Sequence, residues 1–332
     1  MLSKWLEMLE SDVPVLILGY LRFDGIQKIL LTCKESGIKR VYLALDGAKN
    51  EITYDYQEKA LQEIIKYAGD CDLSLTVRRR HSNAGLAVAV IEGISWFFEN
   101  ENFGIILEDD LEVSPPFFTY VASACKRYEE QDEIFLISGN NYFADELNSQ
   151  INATHYPLIW GWATWRNRWS EFLISLEKIP KPFNLGKTSL SVNSFWLTAA
   201  LQSRFGIVDS WAMSLSHYLR AKNKICILPP QNLVSNLGAD AIAEHSNESD
   251  IFIKFPTRVI TTPIQWGIPS QSEISEYDSK LELVIYRISL RNLLSPLKFL
   301  LTIVRVRRLR PIKDRLKDLK AKTDFTILSR GL

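Results

Sequence analysis

Short apolar runs alternate with longer stretches of helical spacing over the first 140 residues. Val13 to Tyr20, Arg40 to Leu45, Leu73 to Val77, Gly104 to Leu107 and Ile134 to Ile137 have the length and composition of strands. Between them, Asp24 to Cys33, Tyr54 to Tyr67, Asn83 to Phe98 and Pro115 to Glu130 repeat apolar side chains with the period of a helix. Asp24 reads as an N-cap and Gly37 as a C-cap. Strands and helices in strict alternation predict an α/β fold with a mostly parallel, Rossmann-like central sheet flanked by helices.

Three of these strands end in polar groups: Tyr20-Leu21-Arg22, Asp46-Gly47 and Glu108-Asp109-Asp110. Right-handed crossovers bring such ends to one edge of the sheet, where open α/β sheets bind ligands. The third is the most telling, because four apolar positions stop abruptly at three carboxylates. Adjacent carboxylates repel unless a cation neutralises them, and oxygen donors suit Mg²⁺ or Mn²⁺, which also bridge phosphates. The competing reading is an acidic turn before a helix starting at Ser114-Pro115, with Glu112 an ordinary helix-start acid. The chain has neither G-x-G-x-x-G nor G-x-x-x-x-G-K-[ST]. A nucleotide would therefore be held by its base, its ribose and a metal-bridged diphosphate. Arg78-Arg79-Arg80-His81 follows the third strand and reads as a basic turn, solvated at two of its three arginines, with the other free to meet a diphosphate.

The second half changes character. Trp160-Gly161-Trp162-Ala163-Thr164-Trp165 and Trp169 form an aromatic cluster, suited either to stacking a sugar ring or to a plain core. Val192 to Phe205 reads as a helix, and Asp209-Ser210-Trp211 opens another, running to about Ala221 with Asp209 as N-cap. A strand at Cys226 to Leu228, then Asn232 to Gly238 and His245, complete this half.

Charge adds a third region. The 332 residues balance to +0, yet Arg287 to Leu332 holds thirteen basic residues against three acidic ones. That is +10 on the tail and −10 on residues 1–286. Apolar residues interleaved with Arg and Lys between Leu283 and Lys322 predict basic amphipathic helices lying on an anionic membrane surface. The alternative is an arm that binds RNA or a partner protein; the tail lacks the interleaved aromatics of a nucleic-acid arm, so no nucleic-acid partner is expected, and a partner protein stays open beside the membrane. Four scattered cysteines without a C-x-x-C pair predict reduced, buried thiols. Met1 to Asp12 lacks the apolar core of a signal peptide, and no stretch reaches the length of a membrane span. The expected location is cytoplasmic, peripheral on the inner face of the cell membrane, and the two N-glycosylation sequons read as chance. The expected organisation is residues 1–140 and 141–275 as the two halves of one domain, then a helical tail over 280–332.

Taken together, Leu18-Gly19-Tyr20-Leu21-Arg22, Asp46-Gly47, Asn83-Ala84-Gly85-Leu86, Ile106 to Pro115, Trp160 to Trp165 and Asn232 to Gly238 resemble bacterial nucleotide-diphospho-sugar glycosyltransferases of the GT-A fold. More distantly, they resemble the animal N-acetylglucosaminyltransferase that initiates complex N-glycans. The resemblance covers about residues 13–250. It implies a metal-dependent, inverting transfer from a nucleotide-diphospho-sugar, UDP-linked by expectation, to a hydroxyl of a growing surface glycan such as O-antigen or capsule, lipid-linked during assembly. It implies that Tyr20 and Arg22 lie near base and diphosphate, that Asp46 hydrogen-bonds the base, and that Asn83 and Gly85 border the nucleotide-sugar. Glu108 and Asp109 would contact sugar or ribose, and Asp110 would ligate Mn²⁺ or Mg²⁺, with His245 a further ligand. Trp160, Gly161 and Trp162 would floor the donor sugar and acceptor. Asp209 would be the catalytic base, although Val208 stands where family members often have Trp. Two alternatives stay open: a nucleotidyltransferase acting on sugar phosphates, and an inactive carbohydrate-binding or scaffolding relative. The first would want a glycine-rich basic loop after the first strand, which Gly19 to Asp24 is not.

Overall fold

The computed structural model describes residues 13–144, 149–177, 189–238, 255–260 and 262–299, together with the backbone of 325–329. Four strands form the parallel heart: β1 (Val15–Gly19), β2 (Arg40–Leu45), β3 (Ser74–Arg80) and β4 (Phe103–Glu108). Helices α1 (Phe23–Glu35), α2 (Glu51–Asp70) and α3 (Leu86–Asn100) make the crossovers. Next come β5 (Leu111–Val113), α4 (Pro116–Tyr128), β6 (Ile134–Ser138), β7 (Asn152–Thr154), β8 (Trp162–Trp165) and α5 (Arg166–Ser175). The remaining elements are α6 (Leu190–Arg204), α7 (Ala212–Lys222), β9 (Ile225–Leu228), β10 (Val234–Asn236), α8 (Gln271–Lys280) and β11 (Phe325–Ser329).

Nine strands join in the order β11-β3-β2-β1-β4-β8-β6-β9-β7, and β5 pairs with β10 in a separate ribbon. β1, β2, β3, β4, β6 and β9 run one way, whereas β8, β7 and β11 run against them. The expected mostly parallel sheet is thus present. Its central strands are unbroken apolar runs because both faces are covered. Val15 and Ile17 of β1 point into one core with α1, α2 and α4, while Leu16 and Leu18 point into the other with α3, α6 and α7. Fully burying each such side chain contributes about 1.5–3 kcal/mol. The four cysteines are buried and unpaired.

Several local expectations change. β3 continues through Arg78, Arg79 and Arg80, so the expected solvated basic turn is a buried strand end. Leu111 to Val113 is a strand, and Glu112 sits in it opposite Ser235 rather than starting a helix. Ser114 donates its hydroxyl hydrogen bond to the Leu233 carbonyl instead of capping α4. Arg22, not Asp24, is the residue before α1, and Trp211 rather than Asp209 is the one before α7. Trp162 to Trp165 inserts antiparallel between β4 and β6. In the tail, Leu281–Ile285 is a π-helical turn and Leu290–Leu294 a 3-10 turn; Phe325–Ser329 pairs antiparallel with β3, so the helical expectation for 280–332 fails there. Among the described residues, no helix is long and apolar enough to cross a membrane.

Candidate functional site

The carboxyl ends of β1, β2 and β4 and the end of β3 face the first turns of α3 across a cavity of about 130 Å³. Its floor is apolar: Leu18, Ala44, Ala89, Val90 and Gly93. Its polar rim contains Tyr20, Asp46, Asn83, Gly85, Glu108 and Asp109, six residues singled out from the sequence, together with Arg78, Arg80 and Glu92.

Asp46 organises one side. It is buried, and its carboxylate accepts from Asn83 Nδ2 (2.9 Å), Ala84 N (3.0 Å) and Gly47 N (2.8 Å). Arg80 Nε lies 3.7 Å away. Burial raises the Asp46 carboxyl to about 6 against these opposing contacts. Both oxygens are thus engaged in holding the 83–84 loop, so a base at this position would share them. Gly85, with φ +80°, is the residue before α3 and turns that loop into the helix.

Arg78 and Arg80, two apart on a strand, point to the same face. Both reach Glu92 of α3: Arg78 donates to its carbonyl at 2.7 Å and to its carboxylate at 3.3 Å, and Arg80 donates at 2.5 Å. Arg79 points the other way, over the Tyr54 ring and onto Glu58. The sequence reading missed the pair and its counter-ion. The alternation Arg-x-Arg at a strand end, followed by a Glu on the apolar helix α3, was the available signal.

The acidic motif closes the other side. Asp109 Oδ2 accepts from Tyr20 N (2.8 Å) and Arg22 N (3.4 Å), which ties the β1 loop to the end of β4. Burial raises Asp109 to about 6. Glu108 is pushed up to about 8, chiefly by burial and then by Asp110 and Asp109. Asp110 turns toward a second cavity of about 360 Å³, shared with Arg22, Lys28, Asp109 and Glu112. Arg22 Nη1 lies 3.3 Å from Asp110 Oδ2, and its Nη2 donates to the Gly238 carbonyl at 3.3 Å. A Cβ on Gly238 would come within 2.3 Å of the same Asp110 oxygen, so only glycine allows this approach.

For Mn²⁺ or Mg²⁺, the donors are all oxygen and the raised carboxyls mark a place that would welcome a cation. Among the described residues, however, no three His, Cys, Asp or Glu side chains converge as a ligand set. Asp110 is the residue that would hold such an ion, and the rest of the ion's shell would come from outside the protein, as is common for Mg²⁺. These residues do not fit an ion caged by protein alone. His245 lies outside the described residues.

The aromatic residues are separated. Trp160 is partly exposed and packs edge-on against Tyr142 at 5.5 Å. Gly161, with φ +58°, accepts at its carbonyl from Gly139 N at 2.7 Å. Trp162 does not form a sugar floor: it is 1% exposed and stacks on Trp211 at 5.8 Å within the core. That stack draws the turn between α6 and α7, which holds the partly buried Asp209, onto the sheet face that carries α3. Asp209 does not line the cavity beside α3.

No family model matches the sequence. No curated protein matches it either. Among solved structures, the chain is similar to a UDP-glucose pyrophosphorylase complexed with UDP-glucose, at TM-score 0.37 and 11% identity over 65% of this chain and 90% of that one. It is also similar to glucosyl-3-phosphoglycerate synthase from Mycobacterium tuberculosis, in complex with Mn²⁺, UDP and glucosyl-3-phosphoglycerate. That match has TM-score 0.29 and 11% identity over 61% of this chain and 70% of the other. The same enzyme with phosphoglyceric acid gives TM-score 0.28 and 11% identity over 64% and 70%.

Proposed function

We propose that the chain is a glycosyltransferase that takes a sugar from a nucleotide-diphospho-sugar, a UDP-sugar in the first instance, and attaches it to a glycan hydroxyl. The observation that carries this reading is the cavity at the carboxyl edge of the sheet, where an apolar floor meets Asp46, Asn83, Arg78 and Arg80 directly beside Glu108-Asp109-Asp110. A base fits against Leu18, Ala44 and Val90. Tyr20 and Asn83 border it, and Arg78 and Arg80 supply positive charge for phosphate oxygens. Glu108 and Asp109 lie where ribose or sugar hydroxyls would reach. Asp110 holds the divalent ion, which when bound neutralises charge on the diphosphate leaving group. Asp209 accepts the proton of the attacking acceptor hydroxyl, giving inversion at the anomeric carbon. Trp160 remains available to the acceptor, whereas Trp162 supports the fold. The acceptor is a lipid-linked surface glycan, which puts the working position at the cytoplasmic face of an anionic membrane.

The experiment is a thermal-shift panel of nucleoside diphosphates with and without Mn²⁺, followed by UDP-sugar turnover. UDP with Mn²⁺ should raise the melting temperature more than either alone. Asp110→Ala should lose the Mn²⁺-dependent part and the turnover while staying folded, and Asp209→Asn should lose turnover but keep UDP binding. Turnover that survives Asp110→Ala unchanged, or proceeds fully without metal, sinks the reading.

A further inference from the structure

The apolar surface of a soluble domain is normally scattered singly over its exterior. Here six of the sixteen exposed large hydrophobic residues among the described ones fall on the segment after α8. Leu283, Val284, Leu290, Leu293, Leu294 and Leu297 are all exposed, Leu283 by 71% and Leu290 by 78%, within fifteen consecutive residues. The segment is not short of inward contacts. Leu281, Ile285 and Phe299 are buried, Tyr286 packs on Trp196 at 4.8 Å, and Phe299 meets Phe205 of the α6 end at 6.2 Å. The exposed leucines are therefore what remains after the segment has satisfied the core.

Two further facts say what covers them. The charged residues from 283 to 299 are Arg287, Arg291 and Lys298, so every charge on this stretch of chain is basic. The sequence from 300 to 322 continues with nine Arg or Lys against two Asp. The segment is also held in place rather than dangling. Glu282, at its start, accepts from Tyr156 OH (2.7 Å) and pairs with Arg220 (3.2 Å). A π-helical turn, a left-handed Arg287 (φ +49°) and a 3-10 turn break the segment into short pieces instead of one long amphipathic helix.

We infer that this segment is the membrane-docking surface of the protein, and that its occupant is the headgroup layer of an anionic bilayer. Leucines enter the acyl boundary while Arg287, Arg291 and Lys298 meet lipid phosphates, the two-signal combination that stable peripheral binding requires. An acidic protein groove would need the same basic groups, but six exposed aliphatic side chains with no aromatic among them suit lipid better than a protein hot spot. The inference stands apart from the nucleotide reading, since none of these residues lines either cavity of the site.

The test is co-sedimentation of the full chain with phosphatidylcholine–phosphatidylglycerol vesicles and with phosphatidylcholine alone. Binding should need the anionic lipid. Leu290→Ser with Leu294→Ser should weaken it about tenfold at both low and high salt, because the apolar contact is not screened. Arg287→Gln, Arg291→Gln and Lys298→Gln together should weaken it at low salt and flatten its salt dependence. Since the leucines are exposed, the double variant should melt like the parent. UDP affinity, measured on the same samples, separates failure of the nucleotide reading from failure of this one. Two results overturn the inference. One is vesicle binding unchanged by the leucine pair. The other is a parent that ignores vesicles but self-associates or captures protein through these leucines.

Discussion

Two buried ionic clusters sit on the same sheet and behave as opposites. At the carboxyl edge, Arg78 and Arg80 share Glu92, with Asp46 nearby, and all four line a cavity. At the far edge, Asp278 of α8 accepts from Thr154 Oγ1 (2.5 Å), His155 N (3.0 Å) and His155 Nδ1 (2.7 Å), with Arg220 at 3.5 Å. Glu282 completes that group through Arg220 and Tyr156. None of these residues borders the two cavities of the candidate site. The second cluster is a clasp: it fastens α8 to the edge strand β7 and to α7. A buried charge network is thus no sign of a site by itself; what distinguishes the first is that its charges line a cavity.

The sharpest way to break this comparison is to remove one anion from each cluster. Asp278→Ala leaves Arg220 and His155 facing a buried vacancy, and breaking a buried pair this way costs about 3–5 kcal/mol. Urea denaturation should show that loss, and UDP should not restore it beyond the stabilisation the parent gains. Glu92→Gln should cost less, about 1–3 kcal/mol, because the amide oxygen still offers Arg78 and Arg80 an acceptor at the same place. Its deficit should shrink on adding UDP, since a diphosphate takes over part of the lost negative charge. Equal rescue of both variants by UDP, or of neither, would erase the distinction between clasp and site.

The same contrast explains what could be read in the sequence. The centre of the parallel heart was legible because β1 and β4 are buried on both faces, which leaves an unbroken apolar run such as Val15 to Leu18. The strands β5, β7, β8 and β10 were not, since their three or four residues form no unbroken aliphatic run, unlike the four of β9. Arg78 to Arg80 were misplaced because three consecutive charges read as solvent, and only tertiary partners (Glu92 for two, Glu58 and Tyr54 for the third) make their burial tolerable. Tyr20, Asp46, Glu108 and Asp109 on the cavity rim were found because strand ends are defined by where apolar runs stop, whereas Asn83 and Gly85 came from the family resemblance. The clasp was invisible: Asp278 and His155 are 123 residues apart and carry no local signal. Trp162 illustrates the reverse error, since an aromatic beside glycine looks like a stacking platform until the strand that buries it is known.

The mildest perturbation tests the cavity side alone. Asp46 is raised from 3.8 to about 6 because burial penalises its charged form more than Gly47, Ala84 and Arg80 favour it. A carboxyl with a folded-state value above its unfolded one binds its proton more tightly when folded. Its contribution to stability is therefore complete below about pH 3.8 and is lost as the pH rises through about 6. Asp46→Asn removes that titration. At neutral pH it also removes the attraction to Arg80 and one strong acceptor for the 83–84 loop, which offsets the relief of burying a neutral group, so the net change there should be the smallest of the three. The slope is what should differ: between about pH 4 and 7 the melting temperature of the variant should fall less than that of the parent. Parallel curves would mean that Asp46 titrates normally and that its hydrogen bonds, rather than its burial, govern this side of the cavity.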